Sequence, residues 1–435
     1  MVAVNLIAYL LCQLFVKSLA QRDVSLNEEN FKLSPPIRWV QQRRLSAYRQ
    51  SIERFYSNSS KHYGRCGIIY SLATANGSLT DFDKLTKHRK AYYRITSVIY
   101  EVLLSALKVR ASLHESTEHP SDCHGAPDIT LFVDRALIDG LSTKLPNLRN
   151  EMECLFDHII YIEDLIQQDG LIPQSQKDCI EEVLRPASSH MDAKSELAAR
   201  LSSRTNAIKL LSFFSTPHLY SLYLDGDTAP CKDFHIEGFR YLQHDNLDLL
   251  VTKNPFGFVS TGGKKVYPGC PQDERFKAFE EINGGVMFLH WTEHTQMWLL
   301  RTLELLPYYF SLGYDQDQAV MRHSLFEASF LYQTVNRIRY LQLPMQEYCR
   351  YGWQCARNSC KAGCRIVHQR ICLDDRYNST ALPLSKRYRE NPSCSSVISS
   401  VGKHWRYFGS KYSDMIRPTK TSKAGKRKKQ RQSKS

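Results

Sequence analysis

The stretch "HLYSLYLDGDTAPC" (218–231) is an apolar run ending in two carboxylates, Asp225 and Asp227, with one glycine between them. Residues 218–225 are rich in Leu and Tyr and flanked by turn formers, which predicts a buried β-strand. A carboxylate at the end of such a strand is costly unless it is paired or binds a cation. Two readings are open. Asp-Gly is a common turn dipeptide, so the acids can form a solvated β-turn. Alternatively they clamp a divalent cation at the carboxyl end of a strand, where open α/β sheets carry their chemistry.

On either side of this stretch, short apolar runs alternate with longer segments of helical period. Strands are predicted at "CGIIYSLA" (66–73), "DITLFVD" (128–134), "DHIIYIED" (157–164), "LDLLVT" (247–252) and "GGVMFLH" (284–290). Helices are predicted over 92–113, near 145–156, and over 195–214 and 294–310. Uninterrupted apolar strands alternating with helices indicate a mostly parallel sheet covered on both faces, an α/β fold. Residues 25–62 read as a loosely ordered stem, and 166–190 as an exposed insertion.

The chain has 435 residues, 42% of them hydrophobic, which is ample for a folded core. Its net charge of +14 is concentrated at one end. Nine Lys or Arg and no acid lie between Arg417 and Ser435, so the remainder carries +5. That tail reads as disordered and able to contact polyanions by charge alone. No nucleic-acid-binding module accompanies it, so no specific nucleic-acid partner is expected.

Residues Val2–Val16 are apolar apart from Asn5 and Gln13, which is short for a spanning helix, and Ser18-Leu19-Ala20 follows with small residues. A cleaved signal peptide and a short membrane anchor both remain open; either one sends the chain into the secretory pathway. Setting Cys12 aside leaves twelve cysteines, six of them at 349, 355, 360, 364, 372 and 394. Their spacings do not match a zinc site, and disulfides in an oxidising lumen are the better reading. Sequons at Asn58, Asn76 and Asn378 fit lumenal exposure.

Three D-x-D triplets occur, at Asp81–Asp83, Asp225–Asp227 and Asp315–Asp317, but only the central one ends an apolar strand. Two carboxylates there suit Mn²⁺ or Mg²⁺, which prefer hard oxygen ligands and keep phosphate oxygens in their shell.

Four motifs in order resemble the metal-dependent GT-A-type nucleotide-diphospho-sugar transferases of the glycogenin-like and galactinol-synthase-like group. They are "TNAIKLL" with the strand to Thr228, "EINGGVMFL" (281–289), "YDQDQAVMRHSL" (314–325), and "YLQLPMQEYCRY" followed by "CRIVHQR" (364–370). The resemblance implies a GT-A-like, Rossmann-related mixed sheet over about 63–375, after a targeting segment (1–20) and stem (21–62). A Cys-rich insert (349–372) and a basic extension (376–435) would complete the chain. It also implies metal ligation by Asp225, Asp227 and His368, and phosphate contacts from Lys209. Asn283, Gly284 and Gly285 would line the sugar pocket, and Asp315 or Asp317 would contact the transferred sugar. Arg370 stands where the group carries a glycine and a downstream lysine, and would substitute in phosphate binding. Glu280, Glu281, Glu347 and Tyr348 are acceptor-side candidates.

The implied activity is metal-dependent transfer from a nucleotide-sugar, a UDP-sugar first, to a hydroxyl of a glycan, protein or lipid in the Golgi or ER lumen or outside the cell. Alternatives are an inactive secreted glycan-binding or scaffold protein on the same fold, and a metal-dependent nucleotidyltransferase.

Overall fold

The computed structural model describes residues 42–368 except 58–61, 74–88, 143–144, 168–194, 232, 255–256, 259–260, 262, 268, 312–313, 315–316, 333–335 and 351–362. The targeting segment, the three sequons, the first D-x-D triplet, Asp315, Arg370, Cys355, Cys360, Cys372, Cys394, the basic tail and nearly all of the 166–190 insertion lie outside the described residues.

The first half runs α1 (Gln42–Ser57), β1 (Cys66–Leu72), α2 (Arg89–Glu115), β2 (Asp128–Val133), α3 (Arg135–Ser142), α4 (Leu148–Leu155), β3 (His158–Tyr161) and α5 (Ile162–Gln167). It continues through α6 (Ser195–Phe214), β4 (Tyr220–Leu224), β5 (Thr228–Pro230), α7 (Ile236–His244), β6 (Leu249–Lys253) and α8 (Glu274–Ala278). The last part is β7 (Ile282–His290), α9 (Glu293–Ser311), α10 (Asp317–Phe330), β8 (Tyr340–Leu343), β9 (Tyr348–Arg350) and β10 (Ile366–His368).

Seven strands form one sheet in the order β3-β2-β1-β4-β7-β6-β8. Every pairing is parallel except those of β7, which runs antiparallel to both β4 and β6. The expected α/β class with a mostly parallel mixed sheet is therefore what the chain forms. Alternation along each strand divides the core into two layers. Ile69, Tyr223, Val251 and Met287 face a layer containing α1, α6, α9 and α10. Ile68, Leu222, Leu250 and Phe288 face a second layer, supplied by α2, α3, α4 and α7. A fully buried side chain of the size of Phe288 contributes about 2 kcal/mol.

Two stretches differ from their sequence reading. Residues 42–57, expected within a loosely ordered stem, form α1, which inserts Ile52 and Tyr56 into the first layer. The strand expected to 164 ends at Tyr161, and α5 begins with Glu163 and Asp164 in its first turn, where acidic side chains complement the helix dipole.

From β1 the sheet extends through β2 and β3 on one side and through β4 on the other, so the order reverses between β1 and β4. That crevice is where ligands of open α/β sheets bind. A small second sheet, β5-β10-β9, lies beside it. A disulfide joins Cys349 on β9 to Cys364 just before β10, and another joins Cys66 on β1 to Cys123. Cys154 and Cys231 are also disulfide-bonded. Cys270 is an unpaired, buried thiol, so the cysteines outside the N-terminal segment do not all pair.

Candidate metal centre

Asp225 is the first residue after β4 and sits at the reversal point. Its N–H donates to the Gly285 carbonyl at 2.9 Å, and its own carbonyl accepts from the Thr228 hydroxyl at 2.7 Å. The two oxygens of its side chain meet different partners. Oδ1 accepts from the Tyr223 hydroxyl at 2.9 Å and lies 3.4 Å from Lys209 Nζ. Oδ2 lies 3.6 Å from His368 Nε2, which is 3.2 Å from Asp227 Oδ1.

His368 is far from the acids in sequence and arrives through the second sheet. β10 pairs antiparallel with β5, and the register sets His368 opposite Thr228, the residue after Asp227. The carboxylates are 32% and 30% exposed, whereas His368 is 7% exposed, so the acids open toward solvent over a buried imidazole. Asn283 braces that ring. Its amide meets His368 Nδ1 at 2.7 Å, and its Oδ1 accepts the Gly285 N–H at 3.1 Å.

The adjoining glycines make room for this packing. A Cβ at Gly285 would stand 2.0 Å from His368 Cε1 and 2.6 Å from Asp225 Oδ2. One at Gly284 would stand 2.6 Å from Met321 Cε and 2.9 Å from Lys209 Nζ. Both glycines are thus packed close against side chains of the site, and Asn283 is turned to the imidazole.

Lys209 is buried on α6 between two carboxylates, 2.9 Å from Asp317 Oδ2 and 3.4 Å from Asp225 Oδ1. Burial acts to lower its pKa, but the charges of Asp225 and Asp317 outweigh it, and the ammonium is held above its ordinary value. Asp317 opens α10. Burial, with the Asp225 charge second, raises the Tyr223 phenol far above its usual range, so it stays a donor.

The donor set fits a hard divalent cation. Asp225, Asp227 and His368 each offer one ligand atom, all within 4.8 Å of one another, and this is the one such group among the described residues. Tyr223 was missed in the sequence reading. Strand alternation carries a signal for it, since a residue two before Asp225 shares its face of the strand.

No family profile matches the chain, and no curated protein matches it. Among solved structures it is similar to mouse xyloside xylosyltransferase 1 in its apo form, at 12% identity and a TM-score of 0.32, covering 69% of this chain and 96% of that one. A second is the galactosyltransferase LgtC in complex with donor and acceptor sugar analogues, at 10% identity and a TM-score of 0.31, covering 77% and 95%. A third is the mannosyltransferase Ktr4p of S. cerevisiae in complex with GDP, at 9% identity and a TM-score of 0.29, covering 69% and 82%. Likenesses this loose carry no argument of their own.

Proposed function

We propose that the chain is a metal-dependent glycosyltransferase, moving a sugar from a nucleotide-diphosphate donor to an acceptor hydroxyl. The observation that carries this reading is the convergence of Asp225, Asp227 and His368 at the sheet's reversal point, with the Lys209–Asp317 ion pair beside them. A divalent cation held there would supply Lewis-acid stabilisation of the departing diphosphate. The mixed oxygen and nitrogen donor set suits Mn²⁺ better than Mg²⁺.

The chain's own residues have separable tasks in this reading. Lys209 pairs with both Asp225 and Asp317, so its charge reaches the donor through those two acids rather than by direct phosphate contact. Asp317, oriented by Lys209, accepts a hydroxyl of the transferred sugar. Asn283 fixes the ring of His368. The crevice between β1 and β4 receives the nucleotide, which we take to be a uridine diphosphate, and Arg370 remains our candidate for the phosphate side. Paired cysteines suit an oxidising lumen, so we place the chain in the secretory pathway.

The test is a panel of UDP- and GDP-sugars with Mn²⁺, reading release of nucleoside diphosphate from purified protein. Turnover is expected with one donor, and Asp227→Ala is expected to lower it at least about a hundredfold, because one of three ligands is gone. Equal turnover in wild type and Asp227→Ala would remove the acids from the chemistry. Pyrophosphate release from a nucleoside triphosphate would replace the reading with nucleotidyl transfer.

A further inference from the structure

Three buried hydroxyls form a chain from the middle of the sheet to the main chain of the acid pair. Tyr70 on β1, Ser105 on α2 and Thr228 on β5 are each 0% exposed. Tyr70 Oη lies 2.8 Å from Ser105 Oγ, and Ser105 Oγ lies 3.0 Å from Thr228 Oγ1. Thr228 Oγ1 in turn donates to the carbonyl of Asp225 at 2.7 Å.

The last link fixes the direction of the others. A carbonyl only accepts, so the Thr228 proton goes to Asp225, and Thr228 Oγ1 must accept from Ser105. With its proton committed, Ser105 accepts from Tyr70. All three bonds point toward the acid turn, and bonds aligned in one sense polarise one another.

The same helix also backs the turn sterically. A Cβ on Gly226 would stand 2.6 Å from Val102 Cγ2 and 3.2 Å from Val102 N, so the turn rests directly on α2. Thr228 is moreover the residue that β10 pairs with to bring in His368.

We infer that Tyr70, Ser105 and Thr228 are positioning residues that lock the Asp225–Asp227 turn against α2 and so set its separation from His368. This rests on the reading of the acids as a cation site. The three hydroxyls bond to one another and to a main-chain carbonyl, not to any of the three ligand atoms.

The test titrates Mn²⁺ into the full-length protein and follows the free ion by electron paramagnetic resonance. Tyr70→Phe breaks one link, Ser105→Ala and Thr228→Val break two each, and Thr228→Ser keeps both of its links. Thr302→Val is the control, deleting a hydroxyl that is equally buried but bonded to the Trp298 carbonyl and to Ser324 Oγ. Ser105→Ala and Thr228→Val are expected to weaken Mn²⁺ binding about tenfold, in the range for outer partners of a metal site. Thr228→Ser should restore it, and Thr302→Val should lower the melting temperature without changing it. Wild-type binding in both Ser105→Ala and Thr228→Val would overturn the inference, as would an equal loss in Thr302→Val. A wild-type chain that takes up no Mn²⁺ would remove the cation reading and this inference together.

Discussion

Asp225 Oδ1 is held by the Tyr223 hydroxyl at 2.9 Å with Lys209 at 3.4 Å, which leaves Oδ2 to face His368 and open space. A carboxylate restrained in this way offers a cation one oxygen in one orientation, which lowers the ordering cost of binding. Gly285 is the matching constraint from β7. Alanine there would put a methyl group 2.0 Å from His368 Cε1, closer than any non-bonded contact, and the ring would have to leave. Gly285→Ala is therefore expected to weaken Mn²⁺ binding at least about tenfold while far-ultraviolet circular dichroism stays unchanged. Unaltered affinity in that variant would show that His368 is not a ligand.

The elements that carry the site differ in how firmly they are held. β4 lies inside the seven-stranded sheet between β1 and β7. α10 is locked to α9 by a buried cluster in which Arg301 donates to Glu327 at 2.6 and 3.0 Å and His323 lies 3.0 Å from the same carboxylate. Its neighbours, His323 first, hold the Glu327 pKa at about 2 against a burial effect that acts to raise it, so α10 presents Asp317 from a fixed base. β10 has less support: three residues pairing with two strands of three residues each, and a disulfide closing a sequence separation of 15. A crosslink over a loop of that size contributes about 3 kcal/mol in the chain-entropy account. Replacing Cys349 and Cys364 together by alanine should thus weaken Mn²⁺ binding at temperatures where the large sheet is still folded. Calorimetry run alongside a Mn²⁺ titration checks this, and loss of both properties in a single transition would count against it.

For the whole molecule, two buried histidines are expected to make the fold less stable in acid. His218 and His235 are each held down at about 4, by burial first in both cases. Their unfolded values lie near 6.5, so the unfolded chain binds more protons as pH falls below that. Stability is fully present above about pH 6.5 and is lost as pH drops toward 4, with each histidine contributing on the order of 3 kcal/mol at most. His218 is the more consequential of the two. Its Nδ1 donates to the Gly64 carbonyl at 2.8 Å, its Nε2 accepts from Thr130 at 2.8 Å, and its ring fills the space a Cβ on Gly67 would need, 2.0 Å away. Urea titrations between pH 7.5 and 4 on wild type and His218→Gln should show a shallower pH slope in the variant; equal slopes would assign the acid sensitivity elsewhere.

Local patterning already specified six of the large sheet's seven strands, all but β8, and the acid pair that ends β4. Runs such as Ile68–Tyr70, Ile129–Val133 and Leu222–Leu224 are long enough to show that both of their faces are buried, and position alone marks Asp225 and Asp227 as the acids at a strand's end. The reversed direction of β7 was not legible, because strand polarity depends on how the preceding connection travels, and apolar content looks the same either way. β5, β9 and β10 were not legible as a sheet either, since three residues have no period and exist as strands only through one another. The turning of Asn283 toward His368, the commitment of Lys209 to two acids, and the hydroxyl chain from Tyr70 all join residues far apart in the sequence. Side-chain chemistry names what a residue can bond to, but only the folded backbone decides which partner comes within 3 Å.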